Sequence, residues 1–228
     1  MVVTPLSHLD KQPDLSTLRG VIPLVGLTGG IGSGKTAVSH LLAEFGAGII
    51  DTDLIAHQIT APSGTAIAAI QNAFGAEFID LDGSLNRGKM RALVFEKPSA
   101  RQILEQITHP LIKEQTAQQA FTLAKTQVPY LVFVVPLLFE SGAWQQLMDH
   151  IVVVDCPVET QIERVMDRNK LSRLEVENIL KAQASRENRL SIANSIIENH
   201  GSVEELRAPV LQLHQKLLKI AEDIRSSS

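Results

Sequence analysis

The sequence predicts a three-layer α/β/α fold in which helices cover both faces of a five-stranded parallel sheet. Short aliphatic runs alternate with longer helical segments, and strands separated by helices are joined by right-handed crossovers. The two strongest runs, 130–135 and 151–154, are rich in β-branched residues without polar alternation, which is typical of strands buried on both faces. The length of 228 residues and the apolar share of 44% suit one large α/β domain, and the 4% aromatic content predicts a mostly aliphatic core.

Each predicted element follows from a local pattern. Apolar runs predict strands at 24–27, 48–50, 130–135, 151–154 and 195–198. Helical patterns predict helices at 36–45, 53–60, 65–74, 87–95, 100–125, 158–168, 173–186 and 203–224. Two of these helices begin with a capping box, formed by Ser172 with Glu175 and by Ser202 with Glu205.

Composition excludes several classes of function. The net charge of −4 and the pI near 6.0 argue against a dedicated nucleic-acid binder, and no apolar run approaches the roughly 20 residues that span a bilayer. The single cysteine, Cys156, excludes an internal disulfide framework and fits a reducing cytoplasm. Residues 1–20 lack apolar periodicity, which predicts a mobile N-terminal extension that stability and activity do not require. The oligomeric state is left open.

A glycine-rich loop follows the first predicted strand and leads into the first predicted helix. Residues 29–36 fit the pattern G-x-x-x-x-G-K-[ST], in the order Gly29, Gly30, Ile31, Gly32, Ser33, Gly34, Lys35, Thr36. Glycines let consecutive backbone N–H groups converge on one anion, and the positive end of the helix adds to the attraction. Lys35 would reach the β- and γ-phosphates of a nucleoside triphosphate, the Thr36 hydroxyl would bind Mg²⁺, and the Ala37 amide would reach the α-phosphate.

The remaining motifs narrow the chemistry to a small-molecule kinase. Ser172 stands where the aspartate of a GTPase N-K-x-D motif would be, and the strand at 130–135 ends without the carboxylate of a large ATPase. Asp51 and Asp53 instead follow the second strand, at the same edge of the sheet as the loop. A carboxylate there can accept the proton of an attacking hydroxyl or hold a magnesium-bound water, although Asp53 could also serve as a helix cap.

A late basic cluster predicts a lid over the nucleotide. Arginines on a lid can cover the transferring phosphoryl group after closure, which excludes water. The alternative is a solvated helix surface on which glutamates pair with the arginines. The cluster consists of Arg164, Arg168, Arg173, Arg186 and Arg189.

Seven motifs, in this order and spacing, resemble the dephospho-coenzyme A kinase family over about 24–218. They are GLTGGIGSGKT at 26–36, IDTD-x-I-A at 50–56, LNRGKMRALVF at 85–95, THPLI at 108–112, VVPLLFE at 134–140, VVVD at 152–155 and QASRENRL at 183–190. The resemblance implies a P-loop kinase fold and ATP-dependent phosphorylation of the ribose 3′-hydroxyl of dephospho-CoA, with Mg²⁺ accompanying ATP. The chain departs from the family pattern at Asn194, where an aspartate is usual.

The resemblance also implies roles for individual residues. Asp53 looks like the base facing the 3′-hydroxyl, with Lys35, Arg168 and Arg186 as further catalytic residues, and Asn199 joins residues 29–37 in binding ATP. It implies a helical acceptor-substrate segment at about 61–128 and a lid at about 168–190. The acceptor side would comprise Asp53, Arg87, Arg91, His109, Pro136, Leu137, Leu138 and Glu140.

Two other functions compete with this interpretation. Another small-substrate P-loop kinase, of the nucleoside or shikimate type, would share the loop and differ in the acceptor segments. A nucleotide-gated regulatory module would bind ATP tightly and turn it over negligibly, and the presence of Asp53 argues against it.

Overall fold

A computed structural model describes residues 14–226 of the chain, so residues 1–13 of the predicted extension lie outside the described residues. The described chain divides into two compact units. The smaller unit contains residues 51–119, and the larger unit contains residues 14–50 and 120–226.

The larger unit is built on a five-stranded sheet. The strands are β1 (Leu24–Gly29), β2 (Gly48–Asp51), β3 (Leu131–Val134), β4 (His150–Asp155) and β5 (Ser195–Glu198). Their order across the sheet is β2-β3-β1-β4-β5. Strand β1 pairs in parallel with both β3 and β4, and β4 pairs in parallel with β5. All five strands were predicted, and their ends differ from the predicted ones by at most two residues.

Helices α1 (Lys35–Glu44) and α10 (Val203–Ser226) pack on one face of this sheet. Side chains alternate between the two faces of a strand, so every second residue contributes to this core. Its members are almost all aliphatic, as predicted, and include Val25, Leu27, Val132, Val134, Val152, Val154, Leu41, Leu42, Leu206, Val210, Leu213 and Leu217.

The opposite face of the sheet carries a short helix that the sequence pattern did not predict, α6 (Gly142–Leu147). The Trp144 ring of this helix lies 5.9 Å from the Phe133 ring of β3. A Cβ at Gly26 would lie 2.6 Å from Leu138 and 2.9 Å from Met148, so a larger residue here would require these two side chains to move.

The segment that follows β4 forms α7 (Val158–Asn169), α8 (Arg173–Ala182) and α9 (Arg186–Ser191). The capping box of Ser172 and Glu175 is confirmed at the start of α8. The single helix predicted for 173–186 is wrong, because the chain leaves the helix at Gln183 and begins another one. The side chain of Ser185 accepts the N–H of Asn188 at 3.2 Å, which caps the new helix.

The smaller unit is helical. It contains α2 (Thr52–Ile59), α3 (Ile67–Phe74), α4 (Arg87–Glu96) and the first 22 residues of α5 (Pro98–Ala124). Ile55, Ile59, Ile70 and Met90 are buried within it. No helix among residues 14–226 is long and apolar enough to cross a membrane.

Residues 14–20, which belong to the predicted extension, contain a short helix. Leu15–Leu18 form a 3₁₀-helix, capped by the Asp14 side chain, and the Leu15 and Leu18 side chains are 3% and 5% exposed. Residues three apart lie on one side of a 3₁₀-helix, so two leucines are enough to anchor it. Asp149 fixes the end of the segment, because its carboxylate contacts Arg19 Nε at 3.3 Å and accepts the N–H of Leu24 at 2.9 Å.

We predict that replacing both anchors, Leu15→Ala with Leu18→Ala, lowers the free energy of unfolding. Each buried leucine truncated to alanine costs about 2–5 kcal/mol. Urea denaturation measures the change. Leu81→Ala is the matched control because Leu81 is fully exposed, and it should shift the free energy by less than about 0.5 kcal/mol. An unfolding midpoint of the double variant equal to that of the unmodified protein would show that the 3₁₀-helix does not stabilise the domain.

Candidate active site

The predicted phosphate loop, residues 29–36, lies between the carboxyl end of β1 and the first turn of α1. Gly34 is the N-cap of α1 and adopts a left-handed conformation with φ of 99°. A Cβ at Gly34 would collide with the Asn199 side-chain amide. Gly32, with φ of 73°, is confined in the same way, because a Cβ there would lie 2.7 Å from the Gln161 carbonyl oxygen. The glycine pattern is therefore required both by backbone conformation and by close packing.

The chemistry-bearing side chains of the loop are arranged for an anion. Lys35 Nζ donates to the carbonyl oxygens of Gly29 at 2.8 Å and Gly30 at 3.1 Å, which holds the ammonium group over the loop. Thr36 is exposed in the first turn of α1, and this turn has no acidic residue and no side-chain cap. The Ser33 hydroxyl is buried and has no hydrogen-bond partner within residues 14–226. The positive helix end and these donors fit a polyphosphate with its metal ion.

Asn199 directly follows β5, and its side chain is hydrogen-bonded to the phosphate loop. Its side chain is 4% exposed, and Nδ2 donates to the Ser33 carbonyl oxygen at 2.7 Å. Arg164 donates to Asn199 O and Oδ1 at 3.4 and 3.3 Å and to the Gly201 carbonyl oxygen at 2.9 Å. Arg164, which belongs to the late basic cluster but precedes the predicted lid at about 168–190, therefore holds the chain after β5. Asn199 is predicted to bind ATP, and its observed contact is with the loop that would surround the phosphates.

Arg186 is a lid arginine that is hydrogen-bonded to the edge of the sheet at which the phosphate loop lies. Its Nε and Nη2 donate to the carboxylate of Asp155, the last residue of β4, at distances of 2.6–3.0 Å. The hydrogen bonds that Arg186 donates to Asp155 raise the pKa of the Arg186 guanidinium above its ordinary value. Asp155 was not assigned a role from the sequence, although its place at the carboxyl end of a strand beside β1 was the available signal.

Arg189 is buried nearby and donates to the Ala184 carbonyl oxygen. Burial lowers its pKa, with a smaller opposing effect from the Asp155 carboxylate. Its guanidinium lies beside Gly30, since a Cβ at that glycine would come within 3.1 Å of Arg189 Nη2. Two of the five clustered arginines thus lie close to the β1–β4 edge and the loop.

The other lid arginines lie on the surface. Arg168 is exposed and donates to its neighbour Asn169 at 2.9 Å. Arg173 pairs with Glu159 at 2.7 Å and with Glu177 at 2.8 Å. Arg173 therefore lies on a solvated helix surface, which was the alternative to a lid role. The observed hydrogen bond of Arg168 is with its neighbour Asn169, and its catalytic role stays a prediction.

The break between α8 and α9 contacts two segments of the site. The Ile31 N–H of the phosphate loop donates to Gln183 Oε1 at 3.1 Å, and the Ala184 N–H donates to Glu140 Oε1 at 2.7 Å. Gln183 was missed as a site residue, and only its place at the start of the QASRENRL motif could have indicated it. Glu140 was predicted on the acceptor side, and its observed partner is the lid.

The smaller unit holds the proposed base. Asp51 is the N-cap of α2, because its Oδ1 accepts the N–H groups of Asp53 at 2.9 Å and Leu54 at 3.1 Å. The capping alternative considered for Asp53 is therefore taken by Asp51. Asp53 lies in the first turn of α2 and is exposed, so its carboxylate is accessible to a ligand.

The predicted acceptor residues are divided between the two units. In the smaller unit, Arg87 Nη2 donates to Thr60 Oγ1 at 2.6 Å, Arg91 is exposed on α4, and His109 is exposed on α5 before Pro110.

In the larger unit, the acceptor-side loop 136–140 follows β3. The Pro136 carbonyl oxygen accepts from Thr28 Oγ1 at 3.3 Å, and Leu137 is 48% exposed. Leu138 is fully buried beside Gly26, so its observed contacts are those of a core residue.

The departure from the family pattern at Asn194 lies away from the phosphate loop. Asn194 Oδ1 accepts the Ile151 N–H at 2.7 Å, just before β5 and at the amino end of β4. An aspartate oxygen can accept the same bond, and the loop lies at the other end of these strands.

A family model for dephospho-CoA kinase matches residues 23–205, a span that contains the phosphate loop, Asp53, Asp155, Arg186 and Asn199. The chain belongs to the dephospho-CoA kinase family. The family resemblance and the predicted α/β fold are confirmed.

Named relatives agree with this assignment. The dephospho-CoA kinase of Burkholderia pseudomallei (strain K96243) is 57% identical over 203 residues, which cover 89% of this chain and 98% of that protein. Among solved structures, the Thermus thermophilus protein TT1252 matches with a TM-score of 0.72 at 32% identity, covering 85% of this chain and 97% of that one. The dephospho-CoA kinase from Campylobacter jejuni matches with a TM-score of 0.64 at 29% identity, covering 86% and 97% of the two chains.

We predict that Gly34→Ala weakens ATP binding at least tenfold, measured by calorimetry, because the new Cβ collides with Asn199 and distorts the loop. Gly46→Ala is the matched control, since Gly46 also has a positive φ, 96°, and no atom near the position of a Cβ. Both variants pay a backbone penalty of about 1–2 kcal/mol in stability. Equal ATP affinities in the two variants would contradict the packing role assigned to Gly34.

Proposed function

We propose that the protein transfers the γ-phosphoryl group of ATP to the ribose 3′-hydroxyl of dephospho-CoA, which yields coenzyme A and ADP in the last step of coenzyme A biosynthesis. The observation that carries the proposal is the phosphate loop at the end of β1, in a chain that matches the dephospho-CoA kinase model over residues 23–205. The phosphoryl donor is held by residues 29–37, which present backbone N–H groups and the positive end of α1.

Lys35 and Arg186 supply positive charge for the transferring group. Lys35 Nζ is held at the loop by two carbonyl oxygens, and a polyphosphate would offer it stronger, charged acceptors. Arg186 is held at the end of β4 by Asp155. Charge placed in advance at the site stabilises the transition state without reorganisation at the moment of reaction.

Thr36 would hold Mg²⁺ together with the phosphates of ATP. The ion, when bound, neutralises charge that develops on the β- and γ-phosphate oxygens. The fit rests on the exposed hydroxyl in the first turn of α1, where no acidic side chain competes.

Asp53 is proposed as the general base. Its carboxylate accepts the proton of the 3′-hydroxyl as the oxygen–phosphorus bond forms and the bond to the ADP oxygen breaks. The structural support is that Asp51, and not Asp53, caps α2, so the Asp53 side chain is not needed for that role.

Each unit, taken by itself, carries exposed residues among those predicted to bind the acceptor. Arg87, Arg91 and His109 are exposed on the helical segment of the smaller unit, and Leu137 is half-exposed on the acceptor-side loop. Arginines pair well with the phosphate groups of an acceptor such as dephospho-CoA.

We place the protein in the cytoplasm, because its one cysteine is free and buried, and we propose no nucleic-acid partner.

We predict that Asp53→Asn lowers turnover with dephospho-CoA by about 10²–10⁴-fold, since asparagine cannot accept the proton. ATP affinity by calorimetry should stay within about threefold, because residues 29–37 and Asn199, which are proposed to bind ATP, are unchanged.

Asp51→Asn is the matched control for this variant. Asparagine caps helices as well as aspartate does, so both the fold and turnover should be retained. Turnover that survives Asp53→Asn and is lost in Asp51→Asn would move the base to Asp51. Parallel losses of turnover and ATP affinity in Asp53→Asn would indicate a structural or magnesium role.

A further inference from the structure

The Asp155–Arg186 pair joins a rigid strand to a lid helix. Asp155 is the last residue of β4, and its side chain is only 7% exposed, whereas the Arg186 side chain at the start of α9 is 52% exposed. A buried carboxylate requires hydrogen-bonded compensation, and Arg186 provides two donors in the planar geometry that suits a carboxylate.

The sheet fixes Asp155 relative to the phosphate loop. Strand β4 runs parallel to β1, and Val154 is paired with Gly29, the first residue of the loop. The two strands end at the same edge, so Asp155 is anchored beside the loop by backbone hydrogen bonds. A side chain held by Asp155 therefore has a defined position with respect to the loop, whatever the rest of the lid does.

The lid segment is tied down at neighbouring residues as well. Gln183 accepts the Ile31 N–H, and the Ala184 N–H donates to Glu140. Both bonds hold the chain within three residues of Arg186. Arg186 uses Nε and Nη2 on Asp155, which leaves the Nη1 edge of the guanidinium outside this pair.

We propose that Asp155 is a positioning residue, which holds the Arg186 guanidinium at the loop edge so that it meets the transferring phosphoryl group already oriented. This inference rests on the proposed kinase function. A long arginine side chain that is free to rotate loses conformational entropy each time it meets the phosphoryl group. A fixed carboxylate restricts this side chain in the folded protein beforehand, so the entropy is lost during folding and not in each catalytic cycle. The competing account is a resting latch, in which the pair restrains Arg186 and must break before catalysis.

The test is Asp155→Asn, which keeps the size of the side chain and removes the charge that orients Arg186. We expect kcat to fall about 10–100-fold, since small displacements of a catalytic group have effects of this size. The KM for ATP should change less than about threefold, because no residue of the phosphate loop is altered. A latch predicts the opposite, a kcat that is unchanged or higher, and that result would overturn the proposal.

A double-variant cycle separates positioning from a general structural effect. If Asp155 acts through Arg186, Asp155→Asn should lower kcat no further in an Arg186→Gln background. Losses that multiply in the double variant would show that the two residues act independently and would overturn the proposal. Arg186→Lys serves if Asp155→Asn fails to fold, because lysine keeps the charge but not the two-donor geometry. A kcat near that of the unmodified protein in Arg186→Lys would also overturn it.

Glu159→Gln is the matched control. Glu159 also receives two donors from one arginine, Arg173, and both side chains are more than half exposed. Its loss should leave kcat within about twofold, as expected for a solvated ion pair. An unmodified protein that releases no ADP in response to dephospho-CoA would refute the proposed function, whereas an active protein that tolerates Asp155→Asn refutes only the positioning role.

Discussion

The turn from β1 into α1 must present backbone N–H groups at the positive end of a helix, and the rest of the larger unit is arranged around that requirement. A positive φ at Gly34 starts α1 without a side-chain cap, and the absent Cβ admits the Asn199 amide. The bond from Asn199 to the Ser33 carbonyl oxygen connects the loop to β5, and Arg164 holds the chain that follows. The loop is thus supported by residues that lie far away in sequence.

The same edge of the sheet organises the lid. Asp155 ends the strand beside β1 and holds Arg186, while Gln183 accepts an N–H of the loop itself. The loop and the lid segment are therefore joined by a direct hydrogen bond, and under the proposed function a phosphate oxygen that accepts the Ile31 N–H would compete with the Gln183 side chain. Glu140 adds a connection between the acceptor-side loop after β3 and the lid.

Local patterns predicted most of the fold. The strands at 130–135 and 151–154 were predictable because β-branched runs buried on both faces have no polar alternation. The phosphate loop was predictable because its glycines, lysine and threonine follow a strict spacing. The predicted helix at 173–186 was wrong because the Ser185 cap outweighs helical periodicity there. The 3₁₀-helix at Leu15–Leu18 was missed because four residues carry too little pattern to distinguish it from an unstructured extension.

The site was predictable only where its residues are close in sequence. The loop was found with every residue in place, whereas the Asp155–Arg186 and Ser33–Asn199 contacts join residues 31 and 166 positions apart, and only the folded chain brings these together. The assignment of the α2 cap to Asp51 required backbone geometry, because both aspartates suit a helix start.

The most direct measurement of the central claim is an acceptor panel with ATP as donor, in which the phosphorylated product is identified by mass and by ³¹P NMR. The panel contains dephospho-CoA, nucleosides, shikimate and dephospho-CoA lacking the 3′-hydroxyl. We expect ADP release with dephospho-CoA alone and a new phosphate on its 3′-oxygen. Phosphorylation of another acceptor at a comparable rate, or tight ATP binding with no acceptor-dependent turnover, would contradict the central claim.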